Sequence, residues 1–366
     1  MVRRKTPTPK ALKRSRAGKQ HKAKAEKGFF DEEQRRTELK AHKDPLRRLN
    51  EFVDWELFRP TLDQALHREA KGLGGRPSFD YVLMFKVLLV QRTFNLGDEQ
   101  TEFQIKDRLS VQTFLGLTLA DQAPDEKTIW LFRDTLTRHG VVAALFARLD
   151  AHLRERGLIL NQGAMVDASF VDVPRQRNRR EENATIKEGG QPPAWAEHPA
   201  KRAQKDVDAR WTEKNGEKHF GYKDHVKVDQ GSKLITQYVV TPASTHDSQA
   251  LEQLLADEDA GQALYGDSAY SGGPLAAVLA ARKIESQIHE RAYRNRPLTA
   301  EQQARNREKS RVRARVEHVF GFMENSLRGF YIRSVGQRRS AGVIGLLNLT
   351  YNLFRFEQLM RLRGSG

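Results

Sequence analysis

The feature that most constrains this chain is a change of texture at residue 158. Before it, apolar residues recur at helical spacing, as with Leu49, Phe52, Val53, Leu57, Leu62 and Leu66. After it come short strand-like runs: "LILNQGAMVDASFVDV", "HFGYKDHVKVD" and "KLITQYVVTPAS" around the turn "QGS", "ALYGDSAY" and "SQIHE". Helical runs alternate with them, "DSQALEQLLAD" and "GGPLAAVLAARKI", then a long helix near 299 to 328 and a final apolar helix. This pattern predicts an α/β core, a mixed sheet flanked by helices, preceded by an all-α region. The expected boundaries are a disordered basic arm over 1–43, a helical domain over 44–157 and the α/β domain over 158–360. A polar, Pro/Gly-bearing insert at about 175–217 reads as a loop outside the core.

Within the helical region, "GLGGRPSFDYVLMFKVLLVQRTF" breaks at its glycines and restarts after Pro77, with Ser78 as the expected cap. "APDEKTIWLFRDTLTRHG" starts at Pro124 and Asp125 and stops at Gly140. Short helices with tight turns suit a helix-turn-helix-like module, whose last helix would carry Arg133 and Arg138 to DNA. A plain helical bundle is the alternative.

Charge narrows the partner. The 366 residues carry a formal +16 and a pI of about 10.0, which points to a polyanion, most commonly nucleic acid. Residues 1–27 hold eleven Lys or Arg against one Glu and few large apolar residues, as expected of a disordered phosphate-binding tail. Residues 291–316 hold nine Lys or Arg against two Glu, a candidate phosphate track. There is no cysteine, hence no disulfide or thiolate metal site, which fits a cytoplasmic, nucleoid-associated protein. No apolar run approaches the roughly 18 residues of a membrane span, so no membrane partner is expected.

Two strand runs meet lone acids, Asp167 in "AMVDASF" and Asp267 in "LYGDSAY". Both fall near the C-terminal ends of strands, the ligand edge of an α/β sheet. A third acid, Glu317, lies in the helical "RVRARVEHVFGFMEN", with Arg313 one turn before it. A buried carboxylate is costly unless it is paired or binds metal. Two aspartates and a glutamate are the oxygen donors that Mg²⁺ prefers. Two such ions, roughly 4 Å apart, clamp the attacking and leaving oxygens of a phosphodiester. Plainer readings are a strand-end cap for each Asp and an i,i+4 ion pair for Arg313 and Glu317.

At these residues the chain resembles a known family. "MVDASFVDVPRQRNRREEN", "HFGYKDHVKVD", "VTPASTHDSQ", "LYGDSAYSG" and "RARVEHVFGFM…LRG" followed by "IGLLNLTYNL" are similar, in order, to the bacterial DDE transposases of the insertion-sequence-five family. The similarity runs over roughly 45 to 355. It implies an RNase H-like core, binding to the terminal inverted repeats of a mobile element, and Mg²⁺-dependent cutting and joining of DNA ends, with Mn²⁺ able to substitute. It implies Asp167, Asp267 and Glu317 as the catalytic, metal-holding acids. The partners implied are double-stranded DNA, as transposon ends and target, and a second copy of the chain, as a dimer on DNA. Related families carry a Tyr, an Arg and a Lys around the Glu. Here Arg313 matches the Arg, while Ser310 stands at the Tyr position and Glu324 at the Lys position. Lys309, Arg311, Arg315 or Arg328 would supply the charge instead, and Glu317 rather than Glu324 lies inside the matching "RVEHVFG".

His219, Lys223, Asp224 and His225 sit where a strand reaches the site, and Lys223 is the expected DNA-orienting residue among them. Asp247 or Thr245 is expected to cap a helix rather than bind metal. His318 beside Glu317 either lines the site or packs. Trp195 and Trp211 fit a small local core in the insert, or stacking on an unpaired base. Two rival functions stay open: a catalytically idle DNA-binding repressor derived from a transposase, and a two-metal nuclease that cuts without inverted-repeat ends.

Overall fold

The computed structural model describes residues 28–66 and 78–364. The expected disorder of residues 1–27 and the restart at Pro77 lie outside the described residues. Within the stretch read as arm, Asp31–Lys40 is instead a helix, α1, with three acids in its first turn and a lysine in its last, which complement the helix dipole.

From residue 44 the chain forms helices α2 (Pro45–Phe52), α3 (Arg59–Leu66), α4 (Tyr81–Thr93), α5 (Asp98–Asp107), α6 (Leu109–Leu115), α7 (Glu126–Arg138) and α8 (Val141–Glu155). Their starts follow capping chemistry. Asp44, Asp80 and Asp125 accept backbone N–H bonds at the heads of α2, α4 and α7. Asp80 therefore caps α4 where Ser78 was expected, because its Oδ1 reaches the Leu83 N–H at 2.9 Å.

The sheet has six strands: β1 (Ala164–Asp172), β2 (Arg210–Lys214), β3 (Glu217–Asp229), β4 (Ile235–Pro242), β5 (Ala263–Gly266) and β6 (Glu285–Ile288). β1 runs antiparallel to β3 and parallel to β5, and β6 extends the parallel side. The far edge of β3 pairs with β2 over its first residues and then with β4. Four strands paired antiparallel, β1 to β4, followed by two parallel ones, β5 and β6, give the mixed sheet of an RNase H-like core. Gly221, φ 156°, sits where β3 leaves β2 for β4, and a Cβ there would lie 2.2 Å from the Val171 carbonyl oxygen.

The insert is not a loop. It holds helices α9 (Arg180–Lys187) and α10 (Pro199–Ala203) as well as β2. Glu182 is its hub, accepting from Trp195 Nε1 at 2.7 Å and from Lys201 at 3.0 Å. Trp195 is buried, as a local core requires, whereas Trp211 on β2 is half exposed.

Helices α11 (Leu251–Leu254) and α12 (Gly273–Ala281) cover one sheet face with Val166, Leu264 and Ile284. The long α13 (Ala300–Gly321), followed by a π turn over Phe322–Ser326, and α14 (Gln337–Gly364) cover the other. Here one continuous core runs from Leu46, Phe85 and Leu136 in the helices to Met165, Val226 and Leu346. The helical region and the sheet thus share apolar interior rather than meeting across a linker.

Candidate active site

β1 is the central strand; Asp167 pairs with Val226 of β3 on one edge and lies two residues beyond the last pair with β5, Met165–Tyr265, on the other. Alternation puts Met165 and Asp167 on the α13 face. Asp267 follows immediately after β5, where its Oδ1 accepts the Ala269 N–H at 2.9 Å and turns the chain. The strand-end capping role and the site role are therefore compatible. Glu317 lies on α13 with its side chain 64% exposed.

Arg313 joins two of these acids. Its guanidinium donates to Asp167 Oδ2 at 2.7 Å and lies 3.6 Å from Glu317 Oε1. Burial pushes the Asp167 carboxyl up to about 6, against the pull of Arg313, and the nearby charge of Asp267 adds to the rise. Two neighbours went unnoticed in the sequence. His289, just past β6, sits near Arg313 and Asp267, and burial followed by Arg313 depresses its pKa. Its Nε2 lies 3.3 Å from the Ser310 hydroxyl. Tyr270 is buried, and its hydroxyl has no hydrogen-bond partner among the described residues. Burial, then the charges of Asp247, Asp167 and Asp267, hold that phenol well above its ordinary pKa. The signal for His289 was a polar residue ending a parallel strand next to Asp267, and for Tyr270 its place three residues after Asp267.

Among the described residues, no three carboxylate or imidazole side chains already form a metal cage. Arg313 lies between Asp167 and Glu317 in the role of counter-ion. The donor set still fits hard divalent cations. It is all carboxylate oxygen, and the mutual repulsion of Asp167 and Asp267 is what a dication relieves.

The other expected contacts divide. Arg311 and Arg315 are exposed on α13, Arg315 donating to the Gln230 carbonyl at 3.2 Å, and Arg328 is exposed beyond the π turn. Lys309 donates to the Ile288 carbonyl at 2.9 Å. Lys223 does not present itself to DNA. It is half-buried on the sheet face opposite Asp167, bonded to Asp247 at 2.7 Å and to the Thr245 carbonyl at 2.8 Å. Asp247 is thus an ion-pair partner, and the cap expected of it or Thr245 is supplied by His246, which accepts the Ser248 N–H. Arg133 turns inward onto both oxygens of Asp98, and Arg138 pairs with Asp134 at 2.8 Å. Arg133 is therefore not extended toward a groove. Asp224 faces Asn348 and His225 bonds Thr241, so neither joins the acids. His318 is exposed, 3.4 Å from Lys233.

Residues 160–353, more than half of the chain, match the family described as "Transposase DDE domain". Residues 34–135 match "Transposase domain (DUF772)". Among solved structures, the chain is similar to the piggyBac transposase in a synaptic complex with hairpin DNA, at 11% identity and a TM-score of 0.42, over 88% of this chain and 76% of that one. The chain belongs to the family of transposases that carry a DDE domain.

Proposed function

We infer that this member of the family is a DNA transposase of the insertion-sequence-five type. It binds the terminal inverted repeats of an insertion sequence, cleaves the ends with two Mg²⁺ ions and transfers the 3′-hydroxyls into target DNA. The observation that carries this reading is the nearness of Asp167, midway along β1, to Asp267, just past the end of the neighbouring parallel strand β5, with Glu317 linked to Asp167 through Arg313.

Asp167, Asp267 and Glu317 would hold the ions. Bound there, divalent cations supply Lewis-acid stabilisation of the phosphodiester oxygens and activation of the attacking hydroxyl. The protein's own contribution is electrostatic and positional. Arg313 offsets the charge of Asp167 and Glu317 before cations arrive and provides a positive group beside the scissile phosphate afterwards. The exposed arginines of α13 track the DNA backbone, giving affinity that falls with salt. The helices of residues 44–157, with the basic arm, provide end recognition, and the pairing of two ends requires a dimer or larger assembly.

The test is cleavage and strand transfer on a labelled duplex carrying the flanking element's own terminal repeat. Wild type with Mg²⁺ should cut at the repeat boundary and join the ends. Asp267→Ala, and wild type in Ca²⁺, should bind without cutting. One observation favours the idle repressor: Arg313 already neutralises Asp167 without metal. That reading requires repeat-specific binding with no cleavage by wild type. Cutting that ignores the repeat, with no joining, would instead indicate the nuclease.

A further inference from the structure

Away from the acids, a cavity of about 80 Å³ opens between the end of α4, the start of α5, α7 and the segment after the π turn. That is several times the roughly 10–15 Å³ a single water needs. Arg92, Arg133 and Arg333 all line it, and Asp98 is the one acid that does. Asp98 is already committed. Arg133 takes both of its oxygens, and Gln91 Nε2 donates to Oδ1 at 2.7 Å.

Arg92 is left without an acid of its own. It is 9% exposed, its Nε has no hydrogen-bond partner among the described residues, and its one bond, to the Leu96 carbonyl, is long at 3.4 Å. Burial, and then the like charge of Arg133, lower its pKa to about 10. A nearly buried cation in this state is costly unless something anionic completes it. The surrounding backbone is also anchored. Asn95, in the left-handed region at φ 48°, donates to the Arg328 carbonyl at 2.8 Å and the Tyr331 carbonyl at 3.3 Å, tying the α4–α5 turn to the segment that carries Arg333.

We propose that Arg92, Arg133 and Arg333 form a phosphate-binding pocket, separate from the carboxylate site, that takes one tetrahedral oxyanion. Its ligand is a phosphate group, either of the DNA backbone or free in solution. The DNA form of this proposal rests on the function inferred above and refines it. One backbone phosphate would then be held by both the helical region and the loop that follows the Glu317 helix. It also gives Arg133 a DNA role at a phosphate rather than in a groove, where the sequence had placed it.

The full-length protein, without Mg²⁺, would be titrated with the terminal-repeat duplex over a salt series. In a second arm it would be melted in inorganic phosphate against chloride of equal ionic strength. The variants are Arg333→Gln, at an exposed position, and Arg92→Met, with the exposed Arg148→Gln on α8 as a charge control. Loss of a DNA phosphate contact should lower the slope of log K against log salt by about 1 in both pocket variants but not in the control. If the ligand is the free anion, phosphate should raise the melting midpoint of wild type and of neither pocket variant, with slopes unchanged, which also upholds the pocket. Unchanged slopes with no phosphate effect, or an equal drop in Arg148→Gln, would overturn it. Failure of wild type to bind DNA at all would count against the proposed function, and the phosphate arm alone would then decide the pocket.

Discussion

Asp224 shows how far a residue's role depends on what lies across from it. On β3 it is fully buried, and burial pushes its carboxyl up to about 8, opposed by the Asn348 hydrogen bond. Asn348 Nδ2 donates to Oδ1 at 3.1 Å, while Asp224 Oδ2 and Asn348 Oδ1 each lack a hydrogen-bond partner among the described residues. A proton on the carboxyl removes the charge that burial penalises. The folded pKa thus lies above the unfolded one, near 4. Stability from this group is complete below pH 4 and is lost as pH rises toward 8. Asp224→Asn, which is uncharged at every pH, should raise the melting midpoint by a few degrees at pH 8 and by nothing at pH 4. A gain of equal size at both values would refute the protonated carboxyl. Arg313 is the opposite case, a side chain whose partners, Asp167 and Glu317, are both proposed metal ligands. Arg313→Ala should fold normally yet cut DNA more slowly by on the order of 10²-fold, the usual loss for one preorganised donor. Unchanged single-turnover cleavage would remove Arg313 from the mechanism.

Among the elements, α14 ties the helical region to the sheet, packing on α4, α7 and α8 on one side and on β4 on the other. Its Asn352 is buried against β4, its Oδ1 accepting the Ile235 N–H at 2.9 Å and its Nδ2 donating to the Ile235 carbonyl at 2.7 Å. It completes the β4 backbone beside the irregularity at Lys227/Val228. Asn352→Ala strands both groups and should cost roughly 1–3 kcal/mol, readable by urea unfolding. Asn352→Asp, which keeps only the acceptor, should not rescue it. Most strands and helices were legible because they are written in local periodicity; β2 was not, and Asp167 stands midway along β1 rather than at the strand end its sequence suggests. The partners of the site residues were not legible either. Asp167 meets Arg313, 146 positions away, Arg133 meets Asp98, 35 away, and Lys223 meets Asp247, 24 away. The insert misled for a related reason: its polarity hid a core of one tryptophan around a single glutamate.

For the molecule from residue 44 onward, the shared interior sets how it comes apart. Leu46, Leu88, Leu136, Leu149, Val226 and Leu346 belong to one apolar cluster. Residues 44–364 should therefore unfold in one cooperative step, with circular dichroism and tryptophan fluorescence giving the same midpoint. A fragment beginning at residue 158 exposes the α14 face that α4, α7 and α8 cover, and should aggregate rather than fold. Two separated transitions, or a soluble and folded fragment, would show that the helices and the sheet are independent after all.

That common interior also bears on how such a protein changes its target. Where recognition and chemistry sit on separate beads, new specificity comes by exchanging beads. Here the helices that would read an element's ends are also the lid of the core beneath the sheet. A transplanted recognition region would have to bring a matching interior with it. Retargeting, in the laboratory or over generations, is left to changes on the outer faces of the helices, and ends and protein must drift together in small steps.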